Sequence, residues 1–519
     1  MVLRARATIA GMIAGPAVLA VAGALANGLN LLMNLALART LDPAAYGAVV
    51  VQVSIFMVLS VAGNALLIAV VQKETNADGD TRRDQWAWIR HLRRRCLFGV
   101  FVATVLALLI CRPVAALLAY AHPLAVAEAV IGAAVWTLLC IERGVLQARG
   151  AYRRLAGNFI VEATARAGLV VAFVAAGLGV NGAGLGLVLG VALGTDHARK
   201  GLAKVPRAMA VSLRAARLAA LATTGPLTIP SAQIVRRPGL LASTWLALGA
   251  LVPLALLQNM DVVIVGWLDH DGAGAYAAIA TACKVPVFIG LAVANFLLPE
   301  AARRRAEGRG ATAALTVACA LVVAPGLALA ALGTVAAKPL LSLVFGPDLT
   351  GAASSLSILA LGMTFLAVTL MFATYLLGSS QRRVIVVLAV CAGVSAGAIG
   401  LAGGDAMRTA VVVLVCQVVT TLAAGALVHS LHRADARAAS PAAGSAASAA
   451  SAASGASGAA AAPLSLPSGS SGFPRPPLSP PQPKPPWASG TAGEGASVPG
   501  SGQIPSAPGT GEARPASVW

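Results

Sequence analysis

Apolar runs long enough to cross a bilayer alternate with short polar turns over residues 13–431 of this chain. A hydrocarbon core of ~30 Å asks for about 20 apolar residues at ~1.5 Å of helical rise each. Twelve such runs are predicted, near 13–38, 45–71, 96–119, 124–147, 155–178, 181–196, 241–267, 274–298, 311–333, 352–377, 384–402 and 409–431. The first two, joined by the turn ARTLDPAAYG, set the pattern for the rest. In the first run Asn27, Asn30 and Asn34 are spaced three and four apart, which puts their amides on one helical face. Lipid cannot satisfy amides, so that face must look at protein or water. Interhelical hydrogen bonding and the lining of a wet cavity both meet the requirement.

The polar turns alternate in charge. With the N-terminus placed inside, the inside segments hold 28 of the 38 Lys and Arg residues, and the outside segments hold 4: Arg39, Arg112, Lys338 and Arg408. This positive-inside bias sets the orientation, the even number of spans and a cytoplasmic C-terminus. The expected location is the cytoplasmic (inner) membrane. Arg4 and Arg6 precede the first run, and Ala24-Leu25-Ala26 has the form of a signal-peptidase site. The run continues past it to Ala38, so an uncleaved first helix is predicted. Residues 81–96, TRRDQWAWIRHLRRRC, put Trp86, Ile89 and Leu92 on one face among arginines, the pattern of a helix lying on an anionic leaflet.

The two halves of the apolar region are related. LDPAAYGAVV follows span one and LDHDGAGAYAAI follows span seven, with Tyr46 and Tyr276 230 residues apart. Arg153-Arg154 and Arg382-Arg383 repeat at a shift of 229, and Pro113 and Pro339 at 226. Two six-helix units of the same orientation are predicted, a parallel repeat about an axis along the membrane normal, with the transport path between them. The domain boundaries are then 1–196 for the first lobe, 197–240 for a basic cytoplasmic linker, 241–437 for the second lobe and 438–519 for a tail. The tail is Ala, Ser, Gly and Pro with the run FPRPPLSPPQPKPPW at 473–487; it cannot bury enough apolar surface to fold, and is expected to be disordered.

Composition agrees with an all-α integral membrane protein: 58% of residues are hydrophobic and 11% charged, where soluble domains carry about 25% charged. The net charge of +19 does not signal nucleic acid, because the cations sit in turns where topology requires them and aromatic residues are only 4%. The seven cysteines form no close CxxC pair and read as small core residues. Gly182, Gly186, Gly190 and Gly194 recur every four residues in span six, a face for close helix packing. No HExxH or metal-spaced His/Cys cluster is present, so no enzyme activity, metal or cofactor is predicted.

An ionisable side chain inside a span costs roughly 2.5–3.5 kcal/mol on insertion scales, so each needs a reason. Arg166 lies ~16 Å into span five, with Glu162 one turn before it at i,i+4. Lys284 lies ~15 Å into span eight, and Asp261 of the antiparallel span seven is within its reach. Glu142 and Arg143 are near the inner end of span four, where Arg143 can snorkel to the interface. Mutual neutralisation between helices competes with a functional role for all of them.

These residues carry a family resemblance. NLLMNLALARTLDPAAYGAVVVQVSIFMVLSVAGNALLIAVV resembles the opening helices of Wzx-like polysaccharide-biosynthesis flippases, a branch of the multidrug/oligosaccharidyl-lipid/polysaccharide exporter superfamily. VLQARGAYRRLAGNFIVEATARAGLVVAF resembles that family's turn from span four to five, and QNMDVVIVGWLDHDGAGAYAAIATACKVPVFIGLAVANFLLPEAARRR the start of its second half. PLLSLVFGPDLTGAASSLSILALGMTFLAVTLMFATYLLGSSQRR resembles its ninth loop and tenth span. The drug/cation antiporter branch typically has an acidic residue in span one, where this chain has only amides. The peptidoglycan-precursor branch usually has helices beyond twelve.

The resemblance implies two lobes in a V around a cavity, and a polyprenyl-diphosphate-linked oligosaccharide as cargo, moved by alternating access for polysaccharide export. In that reading Arg166, Lys284 and Arg143 meet the diphosphate, and Asn27, Asn30, Asn34 and Gln52 contact sugar or hydrate the cavity. Glu162 and Asp261 tune those cations or carry a coupling proton. The partners implied are the lipid-linked saccharide, membrane lipids and a glycan polymerase or glycosyltransferase. Two other readings stay open: a cation-coupled multidrug exporter, and a non-transporting scaffold acting through the Pro-rich tail.

Overall fold

The computed structural model describes residues 2–75, 82–204, 240–294, 312–378 and 381–457. The linker beyond Lys204 and the Pro-rich run 473–487 lie outside them. The first six helices are α1 (Val2–Thr40), α2 (Pro43–Thr75), α3 (Arg82–Leu117), α4 (Pro123–Ala148), α5 (Tyr152–Phe173) and α6 (Gly179–Ala203). The second set is α7 (Leu240–Leu268), α8 (Ala273–Cys283), α9 (285–294), α10 (Thr312–Val344), α11 (Leu356–Gly378), α12 (Arg383–Leu401) and α13 (Ala406–Ser457). Among the described residues there is no strand.

Among the described residues, eleven helical stretches are long and apolar enough to cross a membrane, and one of them, Tyr152–Ala203, has 52 residues. At 1.5 Å per residue that is ~78 Å, enough for two crossings. It is two helices: the chain reverses at a π-type turn, Val174–Leu178, where Gly177 (φ +86°) and Gly179 (φ +54°) adopt left-handed backbone that a side chain would oppose. α5 and α6 then pack on each other. Twelve crossings result, as the apolar runs predict, and the chain is a multi-pass membrane protein.

The duplication is legible in the helix starts. Pro43 and Ala273 are 230 apart, and Tyr152 and Arg383 are 231 apart. A tight glycine corner recurs, since Gly403 (φ +71°) and Gly404 (φ +84°) turn α12 into α13. Helix entry is set by matching chemistry. Asp42 Oδ1 accepts from the Ala45 N–H at 2.9 Å and Asp405 Oδ1 from the Arg408 N–H at 2.8 Å, capping α2 and α13. Pro43 at the first helical position has no N–H to orphan.

The outer faces of the bundle are apolar. Val386, Val390 and Val394, four residues apart on α12, are 65%, 60% and 63% exposed, and α3 exposes Phe98, Phe101, Leu106 and Leu109. Such stripes suit acyl chains, not water.

Elsewhere the structure refines the sequence reading. Residues 82–96 are the first turns of α3, not a separate surface helix, because no Gly or Pro interrupts the chain before Gly99. α6 runs to Ala203, past the boundary expected at 196. α13 is helical through the Ala-rich stretch that ends at Ser457, Ala being the best helix former. Span eight is broken: α8 ends at Cys283 and helix resumes at 285. Pro286 causes the break, having no N–H to donate back to the preceding turn.

The halves meet closely at the end predicted to be external. A Cβ on Gly47 would stand 2.8 Å from the backbone nitrogen of Gly274, and one on Gly274 only 2.1 Å from the carbonyl oxygen of Pro43. One turn deeper, a Cβ on Gly266 would stand 2.5 Å from Cγ2 of Val51. Arg39 donates from Nε to the Val344 carbonyl at 3.3 Å and from Nη2 to the Leu343 carbonyl, fastening the end of α1 to the end of α10. The His270 ring bonds the Ala119 carbonyl across the same seam.

Candidate functional site

The structure distributes the predicted site residues over four places. In the first half, Arg143, Glu162 and Arg166 form one buried cluster. Arg166 Nε is 2.8 Å from Glu162 Oε1 and Arg143 Nη2 is 3.3 Å from Glu162 Oε2. Arg143 also donates from Nε to Asn158 Oδ1 at 2.7 Å, and Asn158 Nδ2 donates to the Gly194 carbonyl at 2.7 Å. The Arg143 guanidinium lies over the Phe159 ring at 4.3 Å and the Trp136 ring at 5.1 Å. It does not snorkel to the interface, being enclosed on every side.

The glycine stripe of α6 makes this cluster fit. A Cβ on Gly190 would fall 2.4 Å from the Arg166 Cα, and one on Gly194 would fall 2.6 Å from Glu162 Cγ. α5 therefore lies flush on α6, and its charged face is held against backbone. Glu142, next to Arg143, pairs with Arg93 of α3.

The cluster joins two guanidinium groups to one carboxylate. Glu162→Gln would leave two buried cations facing a neutral amide, and breaking a buried pair this way costs about 3–5 kcal/mol. A large drop in the unfolding temperature of the purified protein is expected. The double variant Glu162→Gln with Arg166→Gln removes one charge of each sign and is expected to recover much of it.

In the second half, Lys284 and Asp261 are both buried, but they do not form the ion pair expected between spans seven and eight. Lys284 Nζ donates to Asn259 Oδ1 at 3.0 Å, while Asp261 Oδ2 accepts from the Tyr276 hydroxyl at 3.0 Å. Helix geometry explains the switch: Asn259 and Asp261 are two apart on α7 and face different ways. Lys284 makes no ion pair within 4.0 Å among the described residues. Its backbone caps α8 at the break, inside a span reaching from Ala273 to Ala294. α8 touches both α1 and α2 of the first half. The ammonium therefore sits at a helix terminus, ten residues along the chain from the contact of Gly274 with the first half.

The third place is the amide stripe. Asn27, Asn30 and Asn34 are half-buried on α1, which leans on α5. Asn34 Nδ2 donates to the Asn30 carbonyl at 2.8 Å, and Asn30 Oδ1 is buried without a donor. Gln52 is elsewhere. It is 1% exposed and turned into the first half, where Nε2 donates to the Ala125 carbonyl at 3.1 Å and to Glu128 Oε2 at 3.0 Å. Glu128 escaped the sequence reading because it stands alone, five residues into α4, where a carboxylate passes for an interfacial one. The signal available was Gln52, an amide in an apolar helix at a matching depth.

Neither a family model nor a curated protein sequence matches the chain. Its fold matches solved transporter structures. An inward-facing multidrug resistance MATE family transporter of the MOP superfamily aligns with TM-score 0.55 and 15% identity over 78% of this chain and 95% of that one. Lipid II flippase MurJ, in an inward closed conformation, aligns with TM-score 0.60 and 10% identity over 79% of this chain and 87% of that one.

Proposed function

We propose that the chain carries a polyprenyl-diphosphate-linked oligosaccharide across the cytoplasmic membrane by alternating access between its two halves, as a Wzx-like flippase. The observation that supports this most is Lys284: a buried ammonium at a helix break inside span eight, 9% exposed, held by an amide and, among the described residues, by no carboxylate within ion-pair distance. A cation kept in this way is available to an anionic headgroup. The half-buried amides of Asn27, Asn30 and Asn34 offer donors and acceptors to sugar hydroxyls. The polyprenyl tail stays in lipid while the headgroup crosses. Arg143 and Arg166, engaged by Glu162 and Asn158, hold the first half together in this conformation and reach a diphosphate only after rearrangement. The partners in this reading are the saccharide-lipid itself, surrounding lipids and the polymerase or glycosyltransferase that uses the product.

Export of small drugs coupled to a cation is the second reading. Asp261 and Glu128, carboxylates within spans, favour it, as does the fold likeness to a MATE transporter. One assay separates the two. In vesicles containing the purified chain, a fluorescent polyprenyl-diphosphate saccharide is scored for protection from an impermeant quencher, and ethidium is scored for accumulation under an imposed cation gradient. Saccharide movement without ethidium transport is expected; the reverse result replaces the flippase reading with the drug exporter.

A further inference from the structure

A cavity of about 310 Å³ lies between the halves at the end predicted to be external. Pockets that hold small molecules start at about 300 Å³. Arg39, Leu41 and Pro43, from the turn between α1 and α2, form one wall. Ser342, Pro347 and Asp348, at and beyond the end of α10, form the other. None of the residues assigned to the cargo above lines it. Arg39 and Asp348 are exposed, so the cavity is reached from water.

The polar groups of the cavity are held in place but not used up. Arg39 donates from Nε and Nη2 to the Val344 and Leu343 carbonyls, which the end of α10 leaves without helical partners. Two bonds from one planar group fix its orientation, and Nη1 makes no bond among the described residues. Opposite it, Asp348 belongs to the 3-10 turn Pro347–Leu349. Leu349, 2% exposed, anchors that turn, and the Thr350 hydroxyl donates to the Pro347 carbonyl at 2.9 Å. Arg39 and Asp348 line one cavity, yet no ion pair within 4.0 Å joins them. The Ser342 hydroxyl also has no partner among the described residues.

These groups select a class of ligand. One guanidinium and one carboxylate leave the cavity with no net charge, and a diphosphate would meet Asp348 as a like charge. A neutral ligand rich in hydroxyls suits all three groups: the guanidinium donates, the carboxylate accepts, and the Ser342 hydroxyl does either. Leu41, Pro43 and Pro347 offer apolar surface to the C–H face of a sugar ring.

We propose that this cavity binds one saccharide unit from the external side, and that the bound sugar holds the external end closed by bridging the halves. Opening that end parts the two walls, so the complete site exists only in the closed arrangement. A ligand that binds one of two states raises the population of that state. Saccharide accumulating outside would therefore slow its own further delivery. The sugar is either the leading unit of the carried chain or a free saccharide. The sugar class rests on the cargo proposed above, while the cavity and its unused polar groups stand without it.

The test uses the full chain purified in a detergent without a sugar headgroup. Its unfolding temperature is followed against glucose, N-acetylglucosamine and a polyprenyl-diphosphate saccharide, with the bare polyprenyl diphosphate as control. Free sugars stabilise any folded chain by exclusion from its surface, so the readout is a saturable gain above that background. The wild type is expected to show it. Asp348→Asn and Ser342→Ala break no hydrogen bond or ion pair among the described residues, and Asp348→Asn is expected to weaken the apparent affinity about 5- to 10-fold. Saturation by free sugar assigns the ligand to the medium; saturation by the lipid-linked saccharide alone assigns it to the carried chain. Closure is read separately, and without transport, from a cysteine placed at Val51, 6% exposed, whose external labelling is expected to slow at least about twofold with sugar bound. A wild type that gains no more than the two variants with every saccharide overturns the site, and saccharide movement persisting in that case leaves the flippase reading standing. Saturable binding with labelling unchanged overturns the closure.

Discussion

Lys284→Gln is expected to raise the apparent KM for a polyprenyl-diphosphate saccharide by roughly 10- to 100-fold, with the protein still folded and membrane-inserted. The glutamine amide can still donate to Asn259 Oδ1, so the local bond seen at 3.0 Å is replaceable. What disappears is the charge, and a hydrogen bond to a charged group is worth about 1.5–3 kcal/mol. Lys284→Glu goes further, adding a second carboxylate to a region that already holds Asp261, and is expected to abolish movement of the saccharide. Vesicle transport measured across cargo concentration checks this, with size-exclusion profiles confirming the fold. A KM unchanged in Lys284→Gln would remove this cation from cargo binding.

Gly274→Val is expected to have an equally large effect by a different route. The Cβ it introduces would stand 2.1 Å from the Pro43 carbonyl oxygen, and the Gly47 backbone opposite cannot retreat into a flexible side chain. Both partners are main chain at the start of helices, so the clash is relieved by separating the halves at this end. Overpacking of this kind costs about 1–3 kcal/mol, enough to shift a two-state equilibrium roughly 5- to 150-fold. A cysteine placed at Val51, now 6% exposed beneath the seam, should then become labelled from the external side, and transport should fall by about an order of magnitude. Gly168→Ala is the control, because a Cβ there meets nothing within 4 Å and replaces Gly inside a helix, a change expected to be neutral or slightly stabilising. Equal labelling of Val51Cys with and without Gly274→Val would show that the glycines are not what closes this end.

Much of the architecture was readable from periodicity, because the bilayer imposes a length on each helix and a sign on each turn. The twelve crossings follow from those two constraints, the repeat near 230 from paired landmarks such as Tyr46 and Tyr276, and the packing role of the α6 glycines from their four-residue spacing. The site was less readable for a definite reason. Spacing tells which side chains share a face, as with Glu162 and Arg166, but not which neighbour that face meets. Arg143 was placed near an interface by counting from the span end; the structure instead brings it to Asn158, fifteen residues on, through the turn between α4 and α5. Asp261 and Lys284 were within reach of one another along antiparallel helices, yet the two-residue offset of Asn259 decided which group the ammonium meets. Gln52 was assigned to the cavity by its polarity, and its partner Glu128 was invisible without the packing of α2 against α4.

The break at Lys284 also makes the two halves mechanically unlike. The residue 230 positions earlier is Ser54, buried in the middle of α2, an uninterrupted helix from Pro43 to Thr75. One copy of the duplicated element is thus a stiff rod and the other is jointed. When the protein changes face, bending should concentrate in the jointed copy, so an ancestral symmetry of shape gives way to a division of labour between a fixed strut and a moving elbow.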